Sequence, residues 1–480
     1  MQRLGDRFAR CARRYLPDPL VLACLLTLLV LLAALAFPRT ESLKEASPGA
    51  RSLSIVSMWL LAVWNAKFLT FALQMCMVLL TGYGLARAPV ALRGLKALAG
   101  VARSNSQAVV LLALTSCVGC WINWGLGLIL AGVLAIEMRR QLDRQGVYCQ
   151  YALIVAAAYA GMMIWHGGFS GSAPLKVASD GVLIEVGGVG AAVEQVAPIP
   201  ITRTILAPAN LVLTAVLIVG IPLALRMMGV RRGTVGGTVA GAIGEEAPGG
   251  GGSAATGKEV ESASFAERIN NTRLVPLVIA LLVFVALGHR LWEKRGGAVG
   301  LDFVNSAFLG LGLLLHGNLL SYMRAVTEGG KAIVGIVIQF PLYSGIQGVM
   351  FGAGLAASVS QWAVESSQLA ADWLHISVGH TFPLATFLSA GVVNFFVPSG
   401  GGQWIVQGPI MCGAAKVLSV PYEQTVMAIA YGDQLTNMVQ PFWAIPLMGL
   451  TRVDAREFMG YCALLMLLAA PVFAVALLMF

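Results

Sequence analysis

The sequence predicts an all-α polytopic membrane protein made of two inverted repeats, each with a re-entrant helical hairpin and a broken transmembrane helix. Three observations predict this fold: the composition, the placement of basic loops, and glycine- and proline-rich breaks inside apolar stretches. Of the 480 residues, 58% are hydrophobic and 11% are charged, and the mean hydropathy is +0.78. Such a composition excludes a water-soluble surface on a chain of this length.

Apolar runs of about 20 residues, long enough to cross a bilayer, recur along the chain. They cover residues 19–37, 274–291, 333–355 and 459–480 and, less regularly, 55–80, 148–165, 205–225 and 303–320. Roughly nine or ten crossings fit this pattern. Because the first run is long and no small-residue cleavage site follows it, we expect a retained helix rather than a removed signal peptide.

Basic residues indicate the orientation in the membrane. The formal net charge is +9, and the arginines and lysines lie in short loops beside apolar runs. This pattern encodes topology in an inner membrane, so we expect no nucleic acid as a partner. The multi-pass chain is predicted to lie in the bacterial inner membrane with a cytoplasmic N-terminus, which carries Arg3, Arg7, Arg10, Arg13 and Arg14.

A first re-entrant hairpin is predicted at about residues 108–136. The basic clusters that end at Arg103 and begin at Arg139 should both be cytoplasmic, yet the apolar stretch between them is too short for two crossings. A hairpin that enters and leaves on one side satisfies both constraints. Its tip would be Cys-Trp-Ile-Asn-Trp-Gly-Leu-Gly, residues 120–127. Such non-helical backbone can lie inside the membrane only where it contacts protein or a water-filled cavity.

A second hairpin is predicted at about residues 384–417, where Val-Pro-Ser-Gly-Gly-Gly-Gln interrupts a comparable apolar stretch. Sliding the two segments against each other places the glycines of the two tips opposite each other. Once a short gap is allowed, Tyr159 and Pro174 also fall opposite Tyr431 and Pro446. Counting crossings puts the ends of the second hairpin outside, so the two halves are inverted.

The chain is therefore divided into three parts. The N-terminal transmembrane half covers residues 1–225, and the C-terminal half covers residues 273–480. Residues 226–272 between them are rich in Gly, Ala and Ser and predict a flexible cytoplasmic linker.

Each hairpin is followed by an apolar run that breaks in its middle, at residues 159–175 and 431–447. Paired broken helices in inverted halves are the best sequence pointer to a transporter's binding site, because freed amides bind anions and unwound carbonyls bind cations. Asp433 lies in the second break, and an intramembrane acid usually has a function. Amides spaced three apart in the same break also commonly join helices, so a structural role for them stays open.

No Arg or Lys lies in the tips or breaks, so a carboxylate would be bound by amide and hydroxyl donors. The predicted substrate site comprises Asn123, His166, Ser170, Ser172, Ser399, Gly400, Gly401, Gly402, Thr436 and Asn437. The predicted coupling-ion site comprises Asp433, Gln434 and Gln440. Asp433 would couple by protonation or by sodium coordination, and His166 is a competing proton carrier. We expect no resident cofactor or metal.

Four motifs of this chain resemble the bacterial short-chain fatty acid transporter family. They are Pro17-Asp-Pro19, Gly168-Phe-Ser-Gly-Ser-Ala-Pro-Leu175, Asn394-Phe-Phe-Val-Pro-Ser-Gly-Gly-Gly-Gln-Trp-Ile-Val-Gln-Gly-Pro409 and Gly432-Asp-Gln-Leu-Thr-Asn-Met-Val-Gln-Pro-Phe-Trp443. The resemblance covers nearly the whole chain apart from the linker. It implies uptake of small monocarboxylates such as butyrate or acetoacetate across the inner membrane. The expected partners are this substrate and the lipid bilayer, and a homodimer stays open.

The paired hairpins are also distantly similar to the ion transporter superfamily, whose sodium-coupled dicarboxylate carriers have Ser-Asn-Thr at their tips. This chain has Asn123-Trp-Gly and Pro398-Ser-Gly instead. We therefore expect a cation-coupled symporter, with proton and sodium both open. The alternatives are a dicarboxylate or amino-acid carrier of the same fold, and a rhomboid-like serine protease that would use Ser170. Because the nearest downstream histidine, His289, lies across the linker, we expect no enzyme.

Overall fold

The computed structural model describes residues 1–186, 192–229, 269–293, 301–330 and 333–480. Within these residues the regular structure is helical apart from one short antiparallel pair of strands. The predicted linker, 226–272, lies outside the described residues except at its two ends.

The described elements of the N-terminal half are eleven α-helices, two strands and three short 3-10 turns. The helices are α1 Gln2–Tyr15, α2 Pro19–Ala36, α3 Glu41–Glu45, α4 Pro48–Val63, α5 Ala66–Arg87, α6 Pro89–Gly100, α7 Asn105–Ile122, α8 Trp124–Arg144, α9 Tyr151–Tyr159, α10 Ser172–Asp180 and α11 Pro208–Met228. The 3-10 turns are Ala160–Met163, Trp165–Gly167 and Ile201–Arg203. Strands β1 Val182–Val186 and β2 Ala192–Val196 pair antiparallel, with Val182 opposite Val196.

The described elements of the C-terminal half are ten α-helices and one 3-10 turn. The helices are α12 Leu274–Glu293, α13 Leu301–His316, α14 Leu319–Gly330, α15 Val334–Gly352, α16 Leu355–Leu374, α17 Val378–Phe396, α18 Gly400–Val417, α19 Tyr422–Thr436, α20 Pro441–Thr451 and α21 Ala455–Leu477. The 3-10 turn is Asn437–Val439.

Among the described residues, eight helical stretches are long and apolar enough to cross a membrane, so the chain is a multi-pass helical membrane protein. The run predicted at 55–80 is not one helix. It divides between α4 and α5, where the side chain of Asn65 accepts a hydrogen bond from the amide of Lys67 at 3.0 Å. Asn is a strong N-cap, so it starts a new helix inside an apolar run.

Helical hairpins lie at both predicted positions. Asn123 alone joins α7 to α8, and residues 397–399 join α17 to α18. The first hairpin covers 105–144 rather than 108–136, because backbone hydrogen bonding carries α8 past the apolar stretch to Arg144. The second covers 378–417 rather than 384–417, because Ser377 caps the start of α17.

The two halves are inverted, as contacts to α21 demonstrate. Just after the first hairpin, the side chain of Gln150 donates to the Tyr461 hydroxyl at 2.9 Å. Just after the second hairpin, the side chain of Gln424 donates to the Leu477 carbonyl at 2.7 Å. Tyr461 and Leu477 lie roughly 24 Å apart along the helix axis. The bases of the two hairpins therefore lie near opposite ends of α21.

The core of the molecule is formed by the two broken helices. The side chains from Leu153 to Ile164 are at most 1% exposed, and those from Val426 to Tyr431 are fully buried. Helices such as α12, by contrast, expose many leucines and valines. The apolar exterior suits lipid. Most residues of the two breaks are buried, although Phe169 in the first break is 39% exposed.

We predict that both ends of each hairpin lie on one side of the membrane, and that the two hairpins lie on opposite sides. Single cysteines at the exposed positions Arg103 and Gln145, and at Ile376 and Ser419, would be labelled with an impermeant thiol reagent in a cysteine-free background. The first pair should react from the cytoplasmic side and the second from outside. Labelling of Arg103 and Gln145 from different sides would contradict the re-entrant arrangement.

Candidate functional site

Each broken helix is interrupted where the sequence predicts it. In the first half, α9 gives way to 3-10 turns and irregular backbone before α10 begins at Ser172. In the second half, α19 ends at Thr436 and α20 begins at Pro441, a residue favoured at the first position of a helix. Both interruptions free backbone amides and carbonyls inside the core, and these groups need partners.

Side chains of both halves satisfy the first break. The Gln434 side-chain oxygen accepts hydrogen bonds from the amides of His166 at 2.9 Å and Gly167 at 3.0 Å. The side chain of Asn210 donates to the Gly167 carbonyl at 2.9 Å, and its oxygen accepts from the Tyr431 hydroxyl at 2.9 Å. Gln434 therefore fixes the unwound backbone of the opposite half.

The relation is reciprocal at the second break. The Tyr159 hydroxyl lies 2.8 Å from the Asn437 carbonyl and 3.1 Å from the Gln440 carbonyl. The side chain of Gln440 donates to the Phe395 carbonyl at 2.7 Å and accepts from the Phe442 amide at 3.2 Å. Tyr159 and Tyr431 occupy matching positions in the internal repeat. Each tyrosine thus supports the break of the other half. Gln434 and Gln440 each join the backbone of two separate segments, which is the structural role that their spacing left open.

His166 and Asp433 face each other at the centre. Their Nδ1 and Oδ1 atoms lie 3.4 Å apart, and both side chains are at most 1% exposed. The Nε2 atom of His166 accepts a hydrogen bond from the Ala173 amide at 3.1 Å. A ring nitrogen that accepts carries no hydrogen, so the neutral imidazole carries its hydrogen on Nδ1, toward Asp433.

Asn394 lies beside this pair, and the site prediction missed it. Its side-chain nitrogen lies 2.9 Å from each of three acceptors, the Asp433 carbonyl, the Thr436 hydroxyl and the Asn437 side-chain oxygen. The side-chain nitrogen of Asn437 lies 3.4 Å from Oδ1 of Asp433. Thr436 also donates to the Gly432 carbonyl at 2.8 Å. The signal that could have identified Asn394 is an isolated amide in an otherwise apolar membrane helix.

The tip of the second hairpin lies against the pair. A Cβ atom at Gly400 would lie 2.6 Å from Cε1 of His166 and 3.1 Å from Oδ2 of Asp433. Ser399 accepts from the Gly402 amide at 3.2 Å and so caps α18. The N-terminus of α18, with its positive dipole end, therefore approaches the acid.

The remaining glycines of this tip lie farther along α18. A Cβ at Gly401 would be 3.9 Å from the side chain of Ser172, the first residue of α10. Gly402 packs against the side chain of Gln347, which belongs to α15 and was not predicted to belong to the site. The second tip is therefore enclosed by elements of both halves.

The tip of the first hairpin approaches the site through tryptophans. The Asn123 side chain accepts from the amides of Gly125 and Leu126 at 3.0 and 3.1 Å and caps α8. Ser170 accepts from the Trp124 amide at 3.0 Å. Asn123 and Ser170 thus hold the tip in place, and the Trp124 ring lies 5.0 Å from that of Trp443.

Several buried polar atoms around the centre have no hydrogen-bond partner among the described residues. They are Oδ2 of Asp433, Oδ1 of Asn394, Nδ1 of His166 and the indole nitrogens of Trp165 and Trp443. Trp165 stacks on His166 with ring centroids 4.3 Å apart and lies 6.1 Å from Trp443. Unpaired buried polar groups are costly, so this cluster has the capacity to bind a polar ligand and a cation.

Comparison with known proteins connects this geometry to transport. The family model for short chain fatty acid transporters matches residues 1–480. A provisionally named short-chain fatty acid transporter of Escherichia coli is 34% identical over 100% of this chain and 99% of its own length. A protein of the same provisional name from Haemophilus influenzae is 33% identical over 97% of this chain and 96% of its own length.

Other similarities are weaker. A provisionally named basic amino acid antiporter of Escherichia coli is 29% identical over 39% of each chain. Among solved structures, the YdaH transporter of Alcanivorax borkumensis matches 96% of this chain and 97% of its own, with 15% identity and a TM-score of 0.39. MtrF of Neisseria gonorrhoeae matches 98% of this chain and 97% of its own, with 15% identity and a TM-score of 0.34.

The protease alternative is wrong, because the homologues that match the whole chain are named as transporters. The Ser170 hydroxyl accepts from the backbone of the first tip, and His166 accepts from the Ala173 amide. Paired helical hairpins and two broken helices surround the buried acid Asp433. The family match over all 480 residues, with two relatives at 34% and 33% identity, shows that the chain belongs to the short-chain fatty acid transporter family.

Proposed function

We propose that this protein is a proton-coupled symporter of short-chain monocarboxylates across the bacterial inner membrane, with its N-terminus in the cytoplasm. The observation that carries the proposal is the buried Asp433 carboxyl group, whose Oδ2 has no hydrogen-bond partner among the described residues while its Oδ1 lies 3.4 Å from Nδ1 of His166. A buried carboxylate without a neighbouring cation is expensive, and a bound proton removes that cost.

The proton is a better candidate than sodium for the coupling ion. The Oδ1 atom of Asp433 lies 3.4 Å from Nδ1 of His166 and 3.4 Å from the side-chain nitrogen of Asn437. The Asn437 nitrogen donates to that oxygen, and Nδ1 of His166, which has no hydrogen-bond partner among the described residues, is a second donor near it, so this oxygen is poorly suited to coordinate a metal ion. Sodium coordination would need several oxygens around it, whereas proton binding needs one.

The substrate carboxylate is proposed to bind between the second tip and the tryptophans. The buried indole nitrogens of Trp165 and Trp443 are free to donate, and the N-terminus of α18 at Gly400 and Gly401 attracts a negative charge. The indole rings would pack against a short acyl chain. No described Arg or Lys lies in either break or tip, so the site offers no cationic side chain to pair with a second carboxylate.

The surrounding side chains that sequence analysis selected have supporting roles. Asn123 and Ser399 cap the arms that follow the tips, and Ser170 holds the first tip. Gln434 and Gln440 fix the breaks. We propose that these residues shape the substrate site and that Asn437, beside Asp433, contributes directly to it.

We predict that butyrate and acetoacetate are transported and compete with each other, and that succinate competes poorly. The measurement is uptake of labelled butyrate by purified protein in liposomes under an imposed proton gradient, with each competitor in tenfold excess. Butyramide is the control for shape without charge, and it should not compete. Equal competition by succinate would support a dicarboxylate carrier, and uptake that follows a sodium gradient alone would contradict proton coupling.

A further inference from the structure

A cavity lies at the far end of α20 from the acid. It has a volume of about 330 Å³, and its lining includes Gln339, Ile445, Met448, Arg452 and Asp454. α20 begins beside Gln440 and has 11 residues, so the cavity lies roughly 16 Å from the break. Its size is at the lower end of the range for small-ligand sites.

The cavity lies at the base of the first hairpin, on the side where the basic loops are. The Tyr151 hydroxyl, just after that hairpin, donates to the Thr451 carbonyl at 3.5 Å, immediately before Arg452. Arg139 lies over the Tyr151 ring at 4.6 Å. The positions of these basic residues predict that the cavity opens to the cytoplasm.

Arg452 carries a positive charge that is unpaired within the described part of the chain. The acidic residue of the same cavity, Asp454, lies 3.7 Å from Arg456 instead. Arg452 also borders a smaller cavity of about 60 Å³, whose two acids are both paired. Glu137 lies 2.6 Å from Arg140, and Glu328 lies 2.8 Å from Arg87. Arg452 therefore gives this region an excess positive charge.

The backbone of Arg452 is left-handed, with φ 55° and ψ 36°. This position directly follows a helix, where Gly or Asn is favoured because a side chain with a Cβ is strained there. An arginine at such a position points to a use for its side chain. A guanidinium binds carboxylates with two parallel hydrogen bonds, which no other side chain offers.

We propose that this cavity is an access site for the substrate, in which Arg452 binds the carboxylate and Ile445 and Met448 contact the acyl chain. The inference rests on the proposed monocarboxylate transport. The access site would be an additional binding site between the cytoplasm and the central site. The central site contains no described guanidinium. As the substrate moves along α20, its carboxylate would therefore leave the charged Arg452 side chain and bind to neutral donors.

The test compares Arg452→Gly, Arg452→Lys and the parent protein in right-side-out and inverted membrane vesicles. The half-saturating concentration of labelled butyrate is measured from each face by counterflow. Arg452→Gly should raise it roughly tenfold from the cytoplasmic face and leave it unchanged from the outer face, because a charge-assisted hydrogen-bonded pair is lost. Arg452→Lys should lie between the two. Arg93→Gln, at an exposed arginine of helix α6, is the control for surface charge and should match the parent.

The glycine variant keeps the experiment interpretable, because Gly adopts the left-handed backbone without strain. Thermal unfolding should show that it is at least as stable as the parent. An unchanged value from the cytoplasmic face would overturn the access site and restrict Arg452 to stabilising the end of α20. An equal rise from both faces would overturn it as well. If the parent protein does not exchange butyrate, the monocarboxylate function itself fails, and the access site fails with it.

Discussion

Asp433→Asn is expected to abolish accumulation of butyrate against its gradient while leaving exchange of butyrate across the membrane. The asparagine keeps the shape and hydrogen-bonding capacity of the side chain but removes the group that binds the proton. Exchange requires only that the loaded carrier reorients, so it needs no net proton movement. The measurement pairs net uptake under an imposed proton gradient with counterflow into preloaded liposomes.

The alternatives predict different outcomes for the same variant. If Asp433 binds sodium, the amide weakens coordination and both activities should fall, with partial recovery at high sodium. If Asp433 is structural, neither should change much. Asp372→Asn is the matched control, because Asp372 is exposed near the end of α16 and the same charge is lost far from the breaks. Normal net uptake by Asp433→Asn would rule out its coupling role and make His166 the next candidate.

Gly127→Ala is expected to prevent formation of the first hairpin and, with it, all transport. A methyl group at Gly127 would overlap the backbone nitrogen of Cys120 and would lie 2.5 Å from the carbonyl carbon of Gly119. The added methyl group would clash with the main chain of α7, so no rotamer change relieves the overlap, and the loss of stability should reach at least the roughly 1–3 kcal/mol of an overpacked core. The measurements are the thermal unfolding midpoint in detergent and the fraction of protein that elutes as a single species.

Gly220→Ala is the control for this substitution. Gly220 lies inside α11, and nothing lies within 4 Å of the position of an added methyl group. Alanine in a helix interior is favoured over glycine by about 0.5–1 kcal/mol, so this variant should be as stable as the parent or more stable. A Gly127→Ala protein with the midpoint of the parent would contradict the close contact between α7 and α8.

The positions of the hairpins and breaks could be predicted from the sequence because the signals are local. Asn123 in one tip and Pro398-Ser-Gly in the other interrupt apolar runs that would otherwise form single helices. The clusters of basic residues around the first hairpin limit how often the chain can cross. The bounds were less accurate, because helix ends depend on caps and on pairing with neighbours rather than on hydropathy.

The roles of most site residues could not be predicted in this way. Asn123 and Ser399 are polar residues at tips, but the structure uses their side chains as helix caps. Trp165 and Trp443 were not selected, because an indole in an apolar run resembles an ordinary packing residue, and the isolated amide of Asn394 was a signal that went unused. Their positions beside Asp433 become visible only when the elements are brought together.

The sequence alone determined that this chain is a multi-pass membrane protein, that it is built from two repeats, and where each repeat breaks. Only the tertiary structure decided which groups meet at the breaks. Gln434 binds the amide of His166 across 268 residues of chain, and Tyr159 binds the carbonyl of Asn437 across 278. Hydropathy, helix caps and glycines act within one or two helical turns, so their effects can be predicted from the local sequence. The partner of a freed amide is chosen by packing between halves, and that choice leaves no local pattern.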